Sequence, residues 1–363
     1  MNLRRLTVLV LIAIVLGLVT LLMNRPQTGG NGQGELLLPQ LAGKLNDIDR
    51  LAVTGAGDHR LATLVKGPER WIVEDADGYP ADVGRIRRNL IELAEARVIE
   101  TKTAKPEFYD RLGVQDVSDE SATGVRMDIS GGGFSTSVII GQTNLRGGEL
   151  AYVRLADDPQ SYMVSARLDP GRKRADWLER SLFDIPSRDI RTVRIEHPDG
   201  DVLQISKDSP DATDFTVQDI PKGRKLTYPG VANGIGAALA GLELEDVMAA
   251  KNFDPGSVPP VLTRFETFDG LVIESQGWRV DDHYMFAFSV TAEPGKMQAN
   301  HDGDATEADS DSDSAAASDT DKSDPLERAK ALNTKVTGWV YQLPTYKADE
   351  FIKRMSDLLA AED

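Results

Sequence analysis

Cysteine is absent from all 363 residues. That absence removes thiol catalysis, disulfide cross-links, cysteine-ligated zinc and iron–sulfur clusters. Histidine occurs only four times, at His59, His197, His283 and His301, and no two of these form a His-Glu-x-x-His pair. Gly-x-Ser-x-Gly elbows and phosphate loops ending in Lys-Ser/Thr are missing too, so zincin, serine-hydrolase and nucleotidase readings lack their parts. Positive charge is in deficit: 41 Lys and Arg face 58 Asp and Glu, for a net charge of −17. An anionic body repels nucleic-acid phosphates and an anionic bilayer surface, so nucleic acid is not an expected partner. Long apolar runs are scarce as well. There is one.

That run, Leu6 to Met23, contains no charge, and its only polar side chains are Thr7 and Thr20. About 20 apolar residues cross a bilayer core as a helix, so Leu6, Leu11, Leu16, Leu21 and Met23 are assigned to a transmembrane signal-anchor, residues 6–23. Arg4 and Arg5 precede it and only Arg25 follows, which predicts a cytoplasmic tail (1–5) and export of the rest. A cleaved signal peptide is the rival reading. The run is longer than a usual signal core, however, and Leu21-Leu22-Met23-Asn24-Arg25-Pro26 offers no small-x-small cleavage site. The expected location is a bacterial inner membrane, single-pass, with the bulk of the chain periplasmic and the lipid bilayer as a partner. All 58 acidic residues lie beyond Arg25. Residues 24–35, rich in glycine, read as a flexible linker.

Beyond the linker, one order of elements occurs twice. Ile48–Thr54 and Arg60–Lys66 read as paired strands, followed by a strand at Trp71 and by Tyr79-Pro80 leading into a helix with Ile86, Leu90 and Leu93 on its apolar stripe. Thr192–Glu196, Val202–Ser206, Phe215–Val217 and Tyr228-Pro229 repeat the order, ahead of a predicted helix at Val231–Leu242. The fold class expected is α+β, with two related modules of antiparallel strands, each packed with a helix, at 36–185 and 186–363. Between Thr291 and Asp324 the composition falls to Asp, Ser, Ala and Thr, so 291–325 is expected to be a disordered acidic insertion. A strand at Thr337–Gln342 and a closing helix at Lys347–Leu359 follow.

The junction Trp177–Gly200 resembles the bacterial family labelled domain of unknown function 4340. The same resemblance runs through Trp71, Tyr79-Pro80-Ala81-Asp82, Tyr109–Gly113, Ile139-Ile140-Gly141 and Tyr152-Val153-Arg154. It covers most of residues 45–200 and, more weakly, 200–355. These motifs are structural and silent on chemistry. The resemblance implies membrane anchoring and a genetic neighbourhood of ABC-type export and gliding-motility-like transport components. Integral-membrane ABC-type transport subunits are therefore the expected protein partners. The acidic insertion departs from the family pattern.

Every candidate for chemistry has a plainer structural reading. Asp281-Asp282-His283 is the one cluster with side chains suited to a metal or a base, yet three consecutive residues do not all face one ion, so a solvated turn is expected. Gly131–Gly133 reads as a hairpin turn, since positive φ costs glycine little. Asp309, Asp311 and Asp313 open like a calcium loop, but Ser314 and Thr320 stand where glycine and glutamate are required. Gly234, Gly236 and Gly241 in the second predicted helix imply close packing on a sheet or docking of a partner helix. Arg85, Arg87 and Arg88 mark a solvated face or a contact for an acidic partner. Trp71, Tyr79, Tyr228 and Trp278 are the aromatics expected at a ligand or partner surface. No enzyme activity, cofactor or metal is expected. The function expected is a non-enzymatic accessory or scaffold subunit of an inner-membrane complex, with an envelope ligand-binding module (glycan or peptide, held in a cleft between the modules) as the alternative.

Overall fold

The computed structural model describes residues 34–145, 147–293 and 324–361. They divide into two compact units. The first runs to Lys66 and resumes over Val83–Arg172; the second takes Gly67–Asp82 and everything from Lys173 onward. The sequence alone predicts a single boundary, at 185/186. In the structure a sixteen-residue arm, Gly67–Asp82, belongs by its contacts to the later unit.

In chain order the first half contributes β1 (Arg50–Thr54), β2 (Arg60–Lys66), β3 (Trp71–Val73), β4 (Tyr79–Pro80), α1 (Val83–Glu95), β5 (Arg97–Thr101), β6 (Val125–Gly131), β7 (Phe134–Ile140), β8 (Leu150–Leu155) and β9 (Ser161–Ser165). The second contributes β10 (Ser181–Phe183), β11 (Ile190–Glu196), β12 (Val202–Ser206), β13 (Thr216–Val217), α2 (Asn233–Gly236), β14 (Leu242–Glu243), β15 (Asp246–Ala249), β16 (Val261–Thr267), β17 (Leu271–Val280) and β18 (His283–Ala292). It closes with α3 (Pro325–Val336), β19 (Trp339–Gln342), α4 (Thr345–Phe351) and α5 (Met355–Leu358).

Within the first unit the sheet runs β2-β1-β6-β7-β8-β9-β5, antiparallel throughout. Residues 34–37 continue it beyond β5, with Gly34 N–H donating to the Val98 carbonyl and Val98 N–H to that of Glu35. Within the second unit the sheet runs β13-β12-β11-β16-β17-β18-β19-β15, and β10 pairs with β14 in a separate ribbon. From β2 and from β12 onward the two sheets take their strands in the same order. Alternation explains the inner faces: along β16 Thr263, Phe265 and Thr267 are buried while Leu262, Arg264 and Glu266 face outward. Phe265 and Phe288 meet the Phe351 ring edge to face beneath that sheet, and Phe286 lies tilted against it.

The α+β expectation is corrected by this arrangement. The described chain is mostly antiparallel sheet with few helices, rather than strand modules each packed with a helix. The first helix exists and buries Ile86, Leu90 and Leu93. Its expected counterpart at Val231–Leu242 shrinks to the single turn α2, because three glycines each lower helix propensity by about 1 kcal/mol relative to alanine. The closing helix is broken into α4 and α5 at Ile352–Arg354. No helix among the described residues is long and apolar enough to cross a membrane. The anchor residues Leu6, Leu11, Leu16, Leu21 and Met23 lie outside the described residues, as does the acidic segment from 294 to 323.

Candidate functional site

The arm Gly67–Asp82 forms one wall of a groove in the second unit. Its strands β3 and β4 pair through Ile72–Pro80 and Val73–Tyr79, a contact too short to hold itself. Side chains and backbone of the same unit hold it instead. Asp77, at φ 55°, accepts hydrogen bonds from the Ala249 N–H and the Asn252 amide, both at 2.9 Å. These bonds hold its carboxyl below the usual carboxylate range. Arg174 donates to the Asp75 carbonyl at 2.8 Å and pairs with Asp246. Glu179 N–H reaches the Pro80 carbonyl, and Asp82 N–H that of Trp177.

Opposite the arm stand α3 and the start of β19. The cavity between them measures about 670 Å³ and is lined by Pro68, Glu69, Arg70, Ile72, Tyr79 and Pro80 on the arm, and by Glu179, Ala331, Thr334, Lys335 and Trp339 across from it. Its floor is aromatic. The Tyr79 ring meets Trp339 edge-on at 5.0 Å and 89°, and Tyr341 lies behind at 6.1 Å. The Tyr79 hydroxyl donates to the Glu179 carbonyl at 3.2 Å. Burial, and then the Glu179 carboxylate, pushes the Tyr79 phenol far above its ordinary value; burial, and then Tyr79, does the same for Tyr341. Both phenols stay protonated at any physiological pH, so they pack and donate. Around the rim Lys335 pairs with Glu179 at 3.6 Å, while Arg70 and Glu69 are exposed. The arrangement can hold an extended, partly apolar segment against aromatic faces, with charge of both signs at its edges.

Of the four aromatics expected at a surface, only Tyr79 lines this groove. Trp71 is half-buried on β3, and its carbonyl closes the arm by accepting from Ala81 N–H. Tyr228 is 56% exposed. Trp278 packs against Phe253 at 5.2 Å. None of these four rings pairs with another among the described residues. Sequence reasoning missed Trp339, Glu179 and Lys335. Trp339 was legible as one of four tryptophans opening a strand; nothing in the local sequence aims it at an arm about 260 residues away.

The other sequence candidates resolve into structure. Asp281 and Asp282 form the β17–β18 turn at φ 48° and 65°, beside a cavity of about 380 Å³ that His283, Phe253 and Met285 also line. Among the described residues no group of three His, Asp or Glu side chains is placed to hold a metal ion. Gly131 pairs with Phe134 to close the β6–β7 hairpin, and a Cβ on it would meet the Asp47 carbonyl at 2.3 Å. Asp309, Asp311 and Asp313 lie outside the described residues. A third cavity, about 430 Å³, lies between Arg194, Leu262, Arg264 and Ser289 on the outward face of the second sheet. There Arg264 is saturated by Glu266, Glu274 and Glu293. Those three partners raise its pKa against the opposing effect of burial.

A family model described as Domain of unknown function (DUF4340) matches residues 71–257, just over half the chain. No curated protein and no solved structure matches.

Proposed function

For a chain that belongs to the DUF4340 family, whose description names no activity, we propose a non-enzymatic role: an accessory or scaffold subunit of an inner-membrane complex, with ABC-type transport subunits as its partners. The observation that carries this reading is the groove between the arm and α3. Its wall is fixed by Asp77 and Arg174 before any partner arrives, and its floor is an edge-on Tyr–Trp pair. Preorganised aromatic grooves with a charged rim suit segments of other proteins, because little side-chain entropy is lost on docking. The apolar run Leu6–Met23 would hold the body at the periplasmic face of the membrane, where tethering raises its effective concentration toward integral partners.

The test is a mild-detergent pull-down of the full-length protein from its native membranes, read by mass spectrometry. Transport permease and ATPase subunits are expected in near-stoichiometric yield. Ala331→Trp and Thr334→Arg, both at exposed positions that fill the groove, are expected to reduce that yield at least ten-fold without changing the unfolding midpoint. Recovery of the protein alone, or partners unaffected by either substitution, would end this reading.

The groove's volume favours one alternative, an envelope ligand-binding module for a glycan or peptide. About 670 Å³ lies within the range of roughly 300–1,000 Å³ usual for small-ligand pockets. In that case Thr334→Arg abolishes binding of the isolated ligand while complex assembly persists.

A further inference from the structure

The first unit carries a second surface that the groove does not explain. Helix α1 buries Ile86, Asn89, Leu90, Leu93 and Ala94, and so leaves the opposite face to solvent. Along that face Val83, Arg87, Ile91 and Glu95 form one row at four-residue spacing, all exposed, and Gly84 and Arg88 form the row beside it. Residues four apart on a helix stack directly over one another, so these six make one continuous strip.

Two features separate this strip from an ordinary solvated face. Arg87 and Arg88 have no ion-pair or hydrogen-bond partner among the described residues, whereas Arg85 on the same helix pairs with Asp169 at 2.6 Å. They stand unpaired in a chain of net charge −17, where carboxylates are in excess. Large apolar side chains also flank them: Val83 is 39% and Ile91 38% exposed, on a helix whose other large apolar residues are buried. Arginine is enriched at protein interfaces, and apolar side chains beside it are what a partner can cover.

We propose that this face of α1 docks an acidic, amphipathic segment of a partner protein. Carboxylates on that segment would take the Arg87 and Arg88 guanidinium groups in bidentate pairs, and an apolar residue would cover Val83 and Ile91. Gly84, lacking a side chain, leaves room for close approach near the helix start. Glu95 at the far end sets direction by repelling the acidic end of the segment. The two unpaired arginines and the apolar side chains beside them select this occupant. A short segment need touch only the strip, whereas an anionic bilayer extends past it and meets the carboxylates of an acidic molecule.

The experiment places the photo-cross-linker p-benzoylphenylalanine at Ile91 in the full-length protein and irradiates native membranes. The adduct is expected on a segment rich in Asp and Glu. Arg87→Glu with Arg88→Glu should cut its yield at least ten-fold, while Arg87→Lys with Arg88→Lys keeps most of it. Reversing the partner's carboxylates to lysine should restore the adduct to the Glu variant. An adduct on a neutral or basic segment, a yield indifferent to charge reversal, or no protein adduct at all overturns the proposal. So does an adduct confined to phospholipid, which would make the strip a membrane contact. Thr334→Arg in the groove should leave this adduct unchanged, so the two readings fail separately.

Discussion

At the scale of single residues, the second unit concentrates polar groups where burial makes them costly to lose. Lys347 donates its ammonium to the carbonyls of Ala237, Ala238 and Ala240, the last at 2.7 Å. Burial lowers its pKa, against the pull of Glu350 and Asp184. Replacing it by methionine keeps the stem and takes a charged donor from three carbonyls, of which that of Ala237 keeps the Ala240 N–H. Loss of a charged donor to partly buried acceptors costs about 1–3 kcal/mol, so Lys347→Met should lower the urea midpoint visibly. An unchanged midpoint would mean that water replaces the ammonium freely. Asp77 supports a pH prediction. Its carboxyl is held below the ordinary value by the Ala249 N–H, so its contribution is present above the unfolded-state pKa and is lost as pH falls through the lower, folded-state value. The stability gap between wild type and Asp77→Ala should therefore narrow as pH falls below the ordinary carboxylate range of about 4, and a gap that does not change with pH would rule the bond out as its source.

At the scale of elements, the sequence announced its hairpins well and its helices unevenly. Gly131–Gly133 stand where two strands turn, because positive φ costs glycine little. Helix α1 was legible from the spacing of Ile86, Leu90 and Leu93. The glycine-rich stretch after Tyr228 reads as a helix only because the order of elements repeats there, and propensity wins. The structure supplies the reason for one of those glycines: a Cβ on Gly236 would lie 2.1 Å from the Phe215 ring. Phe215 is itself buried, and its N–H is held by the Asn233 side chain at 3.1 Å, so the ring has little freedom to retreat. Gly236→Ala should then destabilise the protein by about 1–3 kcal/mol, the usual cost of overpacking, although alanine has the higher helix propensity. A gain in thermal midpoint would show that α2 was limited by propensity alone. The groove was half legible. Tyr79 was named from its Tyr-Pro setting, whereas Trp339, Glu179 and Lys335 come from segments that only tertiary structure brings to it.

At the scale of the whole molecule, the chain passes between its two compact units three times, at 66/67, 82/83 and 172/173. No single cut yields a complete second unit, which a sequence reading based on contiguous modules cannot anticipate, since two-residue strands such as β4 carry no periodicity. The consequence is testable. A fragment of residues 173–363 keeps all eight strands of its sheet but lacks the arm. It exposes the Trp339 and Tyr341 rings that Tyr79 covers, frees the Ala249 N–H that Asp77 satisfies, and leaves Arg174 without the Asp75 carbonyl. Withdrawing Tyr79 alone forfeits roughly 1.5–3 kcal/mol of apolar burial, a large share of the stability of a domain this size. The fragment should therefore bind a hydrophobic dye and melt well below the full chain. Appending residues 67–82 to it through a Gly/Ser linker should restore a cooperative transition, and Tyr79→Ala in that appended arm should cancel most of the restoration. If instead the bare fragment melts as sharply and as late as the fused one, the arm is a passenger on a unit complete without it. The groove would then have a movable wall, and its occupant would meet a surface that forms only on binding.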